Sequence, residues 1–380
     1  MTQQGSNQIP VSRFRWVWRS GGLIVLLCLM VYFASVYMNS RAIQKLEAID
    51  ETIRYTTRPG MLLGIIPKSW RFRLSETLGN QRLIPFQIVT EINCSSTTIT
   101  DNDLGLLCEF KDLEALDLGN TEISDAGLIK LKGLSNLKEL SLAETKVSDA
   151  GLFHLQDFVN LEELTLSETA ISDTGLIYLK KMKQLNSLYL VKTGVSDQGL
   201  ALLKQFVSLK ILGLGNTQVS DAGLVHLQGL TKLQYLDFSG TKITDAGLFH
   251  LRELKNILFL FLDDTQVTDA GMVYLEGMQD LYWLNLDHTQ VGDAGLVHLQ
   301  GLKELADLYL NNTQITNAGL VHLQGLSQLR GLAIKNTRVS DAGLNHLKGL
   351  TNLFAIEYDE TKITEAGIKH LREFLPGLSD

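Results

Sequence analysis

The sequence is poor in cysteine and lacks the short motifs that accompany most enzyme active sites. Its 380 residues include only Cys28, Cys94 and Cys108. A disulfide requires two close, converging Cβ vectors, and the placement of these cysteines in unlike segments predicts no disulfide framework. The sequence contains no glycine-rich phosphate loop, no H-E-x-x-H and no G-x-S-x-G. These absences predict a protein that is not an enzyme and has no catalytic residues, no metal site and no cofactor.

Basic residues are scarce beyond the N-terminal segment. Residues 1–88 carry 11 Lys and Arg against 4 Asp and Glu, whereas residues 89–380 carry 23 against 38. Nucleic-acid binding requires clustered cations that displace counterions from phosphate groups. The acidic part of the chain therefore argues against a DNA or RNA partner. It is compatible with protein partners or cationic ligands.

One long apolar run lies near the N-terminus. No charged residue occurs over residues 20–40, and about 20 apolar residues are enough for a helix to cross a bilayer. Trp16 and Tyr37 stand near its two ends, as in interfacial aromatic belts. We predict a basic cytoplasmic tail over residues 1–19 and a transmembrane signal-anchor helix over residues 20–40. A cleaved signal peptide is the alternative.

The membrane orientation follows from the size of the C-terminal part. Long C-terminal domains usually translocate regardless of loop charge. The prediction therefore places the protein in the inner (cytoplasmic) membrane, with a single pass and with the region after residue 40 outside the cytoplasm.

Residues 41–88 form a predicted juxtamembrane segment and N-terminal cap. Apolar residues at helical spacing predict a short amphipathic helix over Ser40–Arg54. The stretch 70–74, Trp-Arg-Phe-Arg-Leu, is interpreted as cover for the open end of a repeat array, because terminal repeats need capping. A membrane-surface or nucleic-acid patch is the alternative. Residues 89–112 carry a less regular form of the repeat described next, and we interpret them as a degenerate capping repeat.

A 24-residue repeat fills the rest of the chain. Its copies begin at Leu113 and at every 24th residue to Leu353, so that eleven repeats cover residues 113–376 and leave a tail of residues 377–380. The segment L-x-x-L-x-L alternates as a strand with one buried face does. The leucines that follow D-A-G recur at helical spacing. Because such a short unit needs neighbours to cover its apolar face, the period predicts a solenoid.

Three further columns of the repeat have predicted structural roles. Thr121 and its equivalents recur in all eleven copies, and we interpret them as hydrogen-bonding the backbone of neighbouring loops. Ser124 and Asp125 are predicted to cap the start of a helix. Gly127 stands in the middle of that helix, where glycine is unfavourable, and its recurrence predicts that adjacent helices crowd there.

The pattern L-x-x-L-x-L-x-x-T-x-[IV]-[ST]-D-A-G-L-x-x-L resembles that of leucine-rich repeat proteins. It is most similar to a 24-residue T-x-I-T-D-A-G-L subtype of planctomycete-like bacteria, and the resemblance covers residues 89–380. It implies an α/β leucine-rich-repeat solenoid, a horseshoe with a parallel β-sheet on its concave face and short helices on its convex face. It also implies that proteins or other ligands bind on the concave sheet.

The outward strand positions are free of the repeat pattern and should carry specificity. From the sixth copy onward they become aromatic, and adjacent strands bring such side chains within about 5 Å of one another. We call this predicted cluster the aromatic field: Tyr235, Phe259, Phe261, Tyr282, Trp283 and Tyr309. The polar residues predicted to share its ligand-binding surface are Asp237, Asp263, Asn285 and Asp287.

Exposed aromatic patches usually mark a binding surface, although cross-strand pairing that only stabilises the sheet is the alternative. The predicted function is therefore non-enzymatic binding of proteins or other ligands by a membrane-anchored repeat protein. An intracellular adaptor of the F-box leucine-rich-repeat kind, which recruits substrates to an enzyme complex, is the second hypothesis. No F-box-like segment precedes Val89.

Overall fold

The computed structural model describes residues 41–59 and 87–379. A sheet of 13 strands, in sequence order β1 to β13, runs through this part of the chain. The strands are Arg54–Pro59 (β1), Gln87–Asn93 (β2), Ala115–Asp117 (β3), Glu139–Ser141 (β4), Glu163–Thr165 (β5), Ser187–Tyr189 (β6), Ile211–Gly213 (β7), Tyr235–Asp237 (β8), Phe259–Phe261 (β9), Trp283–Asn285 (β10), Asp307–Tyr309 (β11), Gly331–Ala333 (β12) and Ala355–Glu357 (β13). The basic tail, the transmembrane helix and the stretch 70–74 predicted above lie outside the described residues.

The repeat period fixes the register of the sheet. Strands β2 to β13 are parallel, and each residue pairs with the residue 24 positions later, as Leu284 does with Leu308. The central leucine of β3 to β12 is buried, and the residues on either side of it point away from the core. The prediction of one parallel sheet with a single buried face is therefore confirmed.

Short helices form the second layer and cover the buried face of the sheet. The α-helical segments are Asp125–Leu128, Asp149–Leu152, Asp173–Leu176, Asp197–Leu203, Asp221–Leu224, Asp245–Leu251, Asp293–Leu296, Asp341–Leu344 and Glu365–Arg372. The 3-10 segments are Asp103–Glu109, Ile129–Leu131, Phe153–Leu155, Ile177–Lys181, Val225–Leu227, Asp269–Leu275, Val297–Leu299 and Gly319–Leu323. Their leucines are buried against those of the strands, so one continuous apolar core runs the length of the array.

The N-terminal cap consists of a helix and a strand. The helix covers residues 41–49 of the described chain, and Ala42, Ile43 and Leu46 are buried in the core. The helix predicted to reach Arg54 ends earlier, because the Asp50 side chain accepts the backbone N–H of Thr52 at 2.9 Å and forms a turn. Strand β1 then pairs antiparallel with β2 and covers the edge of the first parallel strand.

Within residues 41–59 and 87–379, no helix is both long and apolar enough to cross a membrane. Cys94 is buried, and Cys94 and Cys108 are both free thiols.

The threonine column is buried and hydrogen-bonded, but its partner differs from the prediction. The Thr121 hydroxyl donates to the backbone carbonyl of Leu118 at 2.6 Å, within the same repeat. The same bond recurs along the array, as in Thr217 to Leu214. The prediction that these hydroxyls bond neighbouring loops was wrong, because the tight bend after the strand brings each hydroxyl back to the backbone carbonyl three residues earlier in the same repeat.

The aspartate column connects successive repeats. Ser124 caps its helix through the backbone N–H of Ala126, as predicted. Asp125 additionally accepts the backbone N–H of Ser148 at 2.7 Å and the Ser148 hydroxyl at 2.6 Å, both from the next repeat. A Cβ atom on Gly151 would lie 2.3 Å from an Asp125 carboxylate oxygen. The predicted crowding at the glycine is confirmed, and the crowding atom is this carboxylate.

Candidate functional site

The open face of the sheet, which points away from the helices, presents two rows of side chains. The first residue of each strand gives one row, in which Tyr235, Phe259 and Trp283 are neighbours. The third residue gives the other row. Its consecutive members on β8 to β11 are Asp237, Phe261, Asn285 and Tyr309. Tyr282 immediately precedes β10 and flanks the first row. The structure therefore brings all six aromatic side chains of the field onto one face.

The six rings of the aromatic field form a continuous chain of contacts. Trp283 and Tyr309 stack with ring centroids 4.8 Å apart, and Tyr235 and Phe261 lie at 5.2 Å. The remaining centroid distances are 6.0 Å for Tyr282–Phe259, 6.2 Å for Phe259–Tyr235 and 6.3 Å for Phe261–Trp283. Aromatic pairs at such distances stabilise each other beyond simple burial. Every ring is half-buried, so the field keeps part of its apolar surface open.

The same face carries one further aromatic residue, Tyr189, that the sequence analysis missed. Tyr189 ends β6 in the same row as Asp237, and its ring lies over Gly213, where an added Cβ atom would be 3.2 Å from Tyr189 Cδ1. Burial, the charges of Asp237 and Asp263, and the neighbouring Tyr189 raise the pKa of Tyr235 to about 12. The 24-residue period alone places Tyr189 on this face. Gly213, which pairs with Tyr189 on the next strand and has no side chain to cover its ring, was the sequence signal for this residue.

A row of three carboxylates, Asp237, Asp263 and Asp287, runs beside the rings. The Ser239 hydroxyl lies 2.6 Å from Asp237 Oδ1 and 2.8 Å from Asp263 Oδ1. Asn285 donates its side-chain amide to Asp263 Oδ1 at 2.9 Å and accepts the backbone N–H of Asp287 at 3.0 Å. We call Asp237, Asp263 and Asp287 the carboxylate row. The four predicted polar residues therefore belong to one hydrogen-bonded line.

Two members of the carboxylate row have raised pKa values. Burial raises the pKa of Asp263, and the nearby charges of Asp237 and Asp264 raise it further. The hydrogen bonds that Asp263 accepts lower its pKa but do not cancel this effect. Burial likewise raises the pKa of Asp287, although Asn311 donates to both of its oxygens at 2.7 and 2.9 Å. These carboxylates are poorly solvated, so they gain from any positive charge placed beside them.

The N-terminal third of the open face is acidic and has no aromatic field. A cavity of about 280 Å³ lies where β1 meets the first parallel strands, and its polar lining includes Arg54, Glu91, Asp117, Glu139 and Glu163. Burial and the neighbouring Glu139 raise the pKa of Glu163. In the described residues, no group of three or more His, Cys, Asp or Glu is arranged to hold a metal ion.

Comparisons with known proteins identify the architecture. A family model described as Leucine Rich repeat matches residues 111–132 and 229–251. The chain has the leucine-rich repeat fold. A search of curated proteins gives no match.

Two solved structures show how far the similarity extends. An internalin, InlF, from Listeria monocytogenes aligns with 85% of this chain and 97% of its own, with a TM-score of 0.62 and 22% identity. The Arabidopsis receptor kinase HAESA, in complex with the peptide hormone IDA and the co-receptor SERK1, aligns with 73% of this chain and 47% of its own. Its TM-score is 0.52 and its identity 17%. At these identities the leucine-rich repeat solenoid is what the proteins have in common.

Proposed function

We propose that this protein is a non-enzymatic, membrane-anchored leucine-rich repeat protein that binds a protein partner on the open face of its sheet. The observation that carries the proposal is the aromatic field, six half-buried rings in continuous contact on the face opposite the helices. Aromatic side chains that are rigid and partly open are typical anchors of protein interfaces. The HAESA complex provides a precedent for a peptide ligand on a leucine-rich repeat protein.

The rigidity of the field favours binding over a purely structural role. Each ring lies on, or immediately before, a strand whose central leucine is buried, as Leu260 and Leu284 are, so the core holds the backbone beneath the rings in place. A partner would therefore find its contact surface already formed, which reduces the entropy lost on association. Aromatic residues that only stabilise the sheet can do so as an isolated pair on two adjacent strands. The ring contacts of the aromatic field instead continue over four strands.

The test is affinity capture from native envelope extracts with the full chain as bait. We compare the wild type with a Phe261→Ala, Trp283→Ala double variant, which removes two rings without adding charge. The control is Phe153→Ala, Phe249→Ala, which removes two exposed rings on the helix layer. Because anchor residues contribute about 2 kcal/mol or more each, a partner held by the wild type and the control should be lost from the first variant. Equal retention by all three baits would refute the proposed site.

The proposed anchor has an independent test. The apolar run over residues 20–40 should keep the protein in the membrane pellet through an alkaline carbonate wash, because a spanning helix resists extraction. With the repeats outside the cytoplasm, an externally added protease should digest them in spheroplasts. Release into the carbonate supernatant, or protection of the repeats in intact spheroplasts, would contradict this part of the proposal.

A further inference from the structure

The carboxylate row forms no ion pair within the described residues. Some acids elsewhere on the array do form ion pairs, such as Glu114 with Lys138 at 2.7 Å and Glu357 with Lys335 at 3.1 Å. No Lys, Arg or His of residues 41–59 and 87–379 comes within ion-pair distance of Asp237, Asp263 or Asp287. The charge of His288 offsets part of that of Asp287, whereas Asp237 and Asp263 have no ion-pair partner in this part of the chain.

The hydroxyl of Ser239 lies between two carboxylates, so acceptors outnumber donors at this point of the carboxylate row. This hydroxyl has one hydrogen, yet its oxygen lies 2.6 Å from an Asp237 oxygen and 2.8 Å from an Asp263 oxygen. The hydroxyl can donate to only one of these carboxylates at a time. The other carboxylate faces an oxygen lone pair at close range, an arrangement that an added cation would stabilise.

The described residues place no cation over the face of a ring in the aromatic field, although Arg330 Nη1 donates to the hydroxyl of Tyr282 at 3.3 Å. The cation–π contacts in this part of the chain involve the rings of Phe206, Phe249 and Phe374, none of which belongs to the aromatic field. Phe261 is the point where the two features meet. It pairs in register with Asp237 on one side and with Asn285 on the other, so a cation above its ring would lie beside the carboxylate row.

We infer that the aromatic field and the carboxylate row together dock an extended, basic segment of a partner protein, with its Lys or Arg side chains held between the rings and the carboxylates. This inference rests on the proposed function and names the chemistry of its partner. A cation over an aromatic face gains energy from the ring quadrupole, and more when a carboxylate lies beside it. The net negative charge of residues 89–380 would attract such a segment over longer distances.

The size of the site matches a short extended segment. The field extends over β8 to β11, three spacings of about 4.8 Å each. A chain laid across the strands advances by about 3.3 Å per residue, so four or five residues cover the field. Guanidinium groups suit this surface especially, because they stack on rings and donate to carboxylates in the same plane.

The experiment selects a displayed library of random dodecapeptides against the full chain in detergent micelles. Four baits are used in parallel: the wild type, Asp237→Asn with Asp263→Asn, Phe261→Ala with Trp283→Ala, and a control. The control, Glu51→Gln with Glu109→Gln, removes the same two charges at exposed positions away from the field. Affinities of individual selected peptides are then measured on all four baits.

The inference predicts that peptides selected by the wild type and the control are enriched in Lys and Arg. Their affinity should fall about tenfold or more on the asparagine variant and also on the alanine variant. Peptides that need the two rings but show no enrichment in basic residues and no loss on the asparagine variant would overturn the inference and leave the proposed function intact. Peptides that bind the alanine variant as well as the wild type would overturn both.

Discussion

Gly247→Ala tests the packing between repeats most directly. Gly247 lies in the helix Asp245–Leu251, and an added Cβ atom would stand 2.4 Å from Asp221 Oδ1 and 3.0 Å from Leu224 Cδ1. Asp221 belongs to the preceding repeat and accepts the backbone N–H and the hydroxyl of Thr244 at 2.8 and 2.6 Å. The methyl group therefore has to displace this carboxylate or separate the two repeats.

The expected change in the free energy of unfolding is the balance of one favourable and two unfavourable contributions. Alanine is favoured over glycine inside a helix by about 1 kcal/mol. Overpacking a close-packed contact costs about 1–3 kcal/mol, and weakening two hydrogen bonds to a charged acceptor costs about 1.5–3 kcal/mol for each bond that is lost. We therefore expect Gly247→Ala to lower the free energy of unfolding by about 2 kcal/mol or more, in spite of the better helix propensity.

The assay is urea denaturation followed by circular dichroism, with Gly229→Ala as the matched control. Gly229 is exposed, and an added Cβ atom there has no neighbour within 4 Å. Its replacement by alanine should leave stability unchanged or raise it by up to about 1 kcal/mol. If Gly247→Ala unfolds at the same urea concentration as Gly229→Ala, or at a higher one, the carboxylate is not held in place and the reasoning fails.

Three further predictions use the same denaturation assay. Thr217→Val leaves a buried carbonyl without its donor and should cost about 1–2 kcal/mol; no loss would contradict the role of the threonine column. Burial opposes ionisation of Asp149, but hydrogen bonds from Ser172 and Thr174 outweigh it and lower its pKa. Its contribution to stability is then present above the usual carboxyl pKa and lost as the pH falls through the lowered value, and Asp149→Asn should remove this part of the acid sensitivity. Burial raises the pKa of Asp263, so its contribution to stability is lost as the pH rises, and Asp263→Asn should be more stable than the wild type at neutral but not at acidic pH.

The strand and helix layers could be predicted from the sequence because the same short pattern recurs without insertions. One error in register would have moved every inward leucine to the open face, and eleven copies exclude that error. The partners of individual polar residues were harder to predict. The Asp125 carboxylate was predicted to cap its own helix, but it accepts the backbone N–H and the hydroxyl of Ser148 in the next repeat. A sequence pattern shows which residues recur, but not whether a contact is made within a copy or between copies.

The period also located the candidate site without determining its contacts. It placed Tyr235, Phe259 and Phe261 on one face, as observed. It could not show that the diagonal pair Tyr235–Phe261, at 5.2 Å, is closer than the in-register pair Tyr235–Phe259, at 6.2 Å. Strand spacing alone makes in-register neighbours the nearest, and side-chain rotamers decide which rings meet. The hydroxyl of Ser239 between two carboxylates was missed for the same reason.

The architecture separates the residues that stabilise the array from those that are free to bind. Core leucines, the threonine column and the aspartate column carry the packing and hydrogen bonds that every repeat requires, and none of these side chains belongs to the two open rows. Substitutions in the aromatic field therefore remove ring contacts between neighbouring strands but leave the core and the hydrogen bonds of the threonine and aspartate columns intact. Residues that the fold does not require can be specialised on a few strands, as the change from Glu139 and Glu163 on β4 and β5 to Phe259 and Trp283 on β9 and β10 shows. The carboxylate row adds a further distinction, because poorly solvated acids without an ion-pair partner weaken a fold. A cationic partner would supply the positive charge that the described residues do not place beside Asp237 and Asp263.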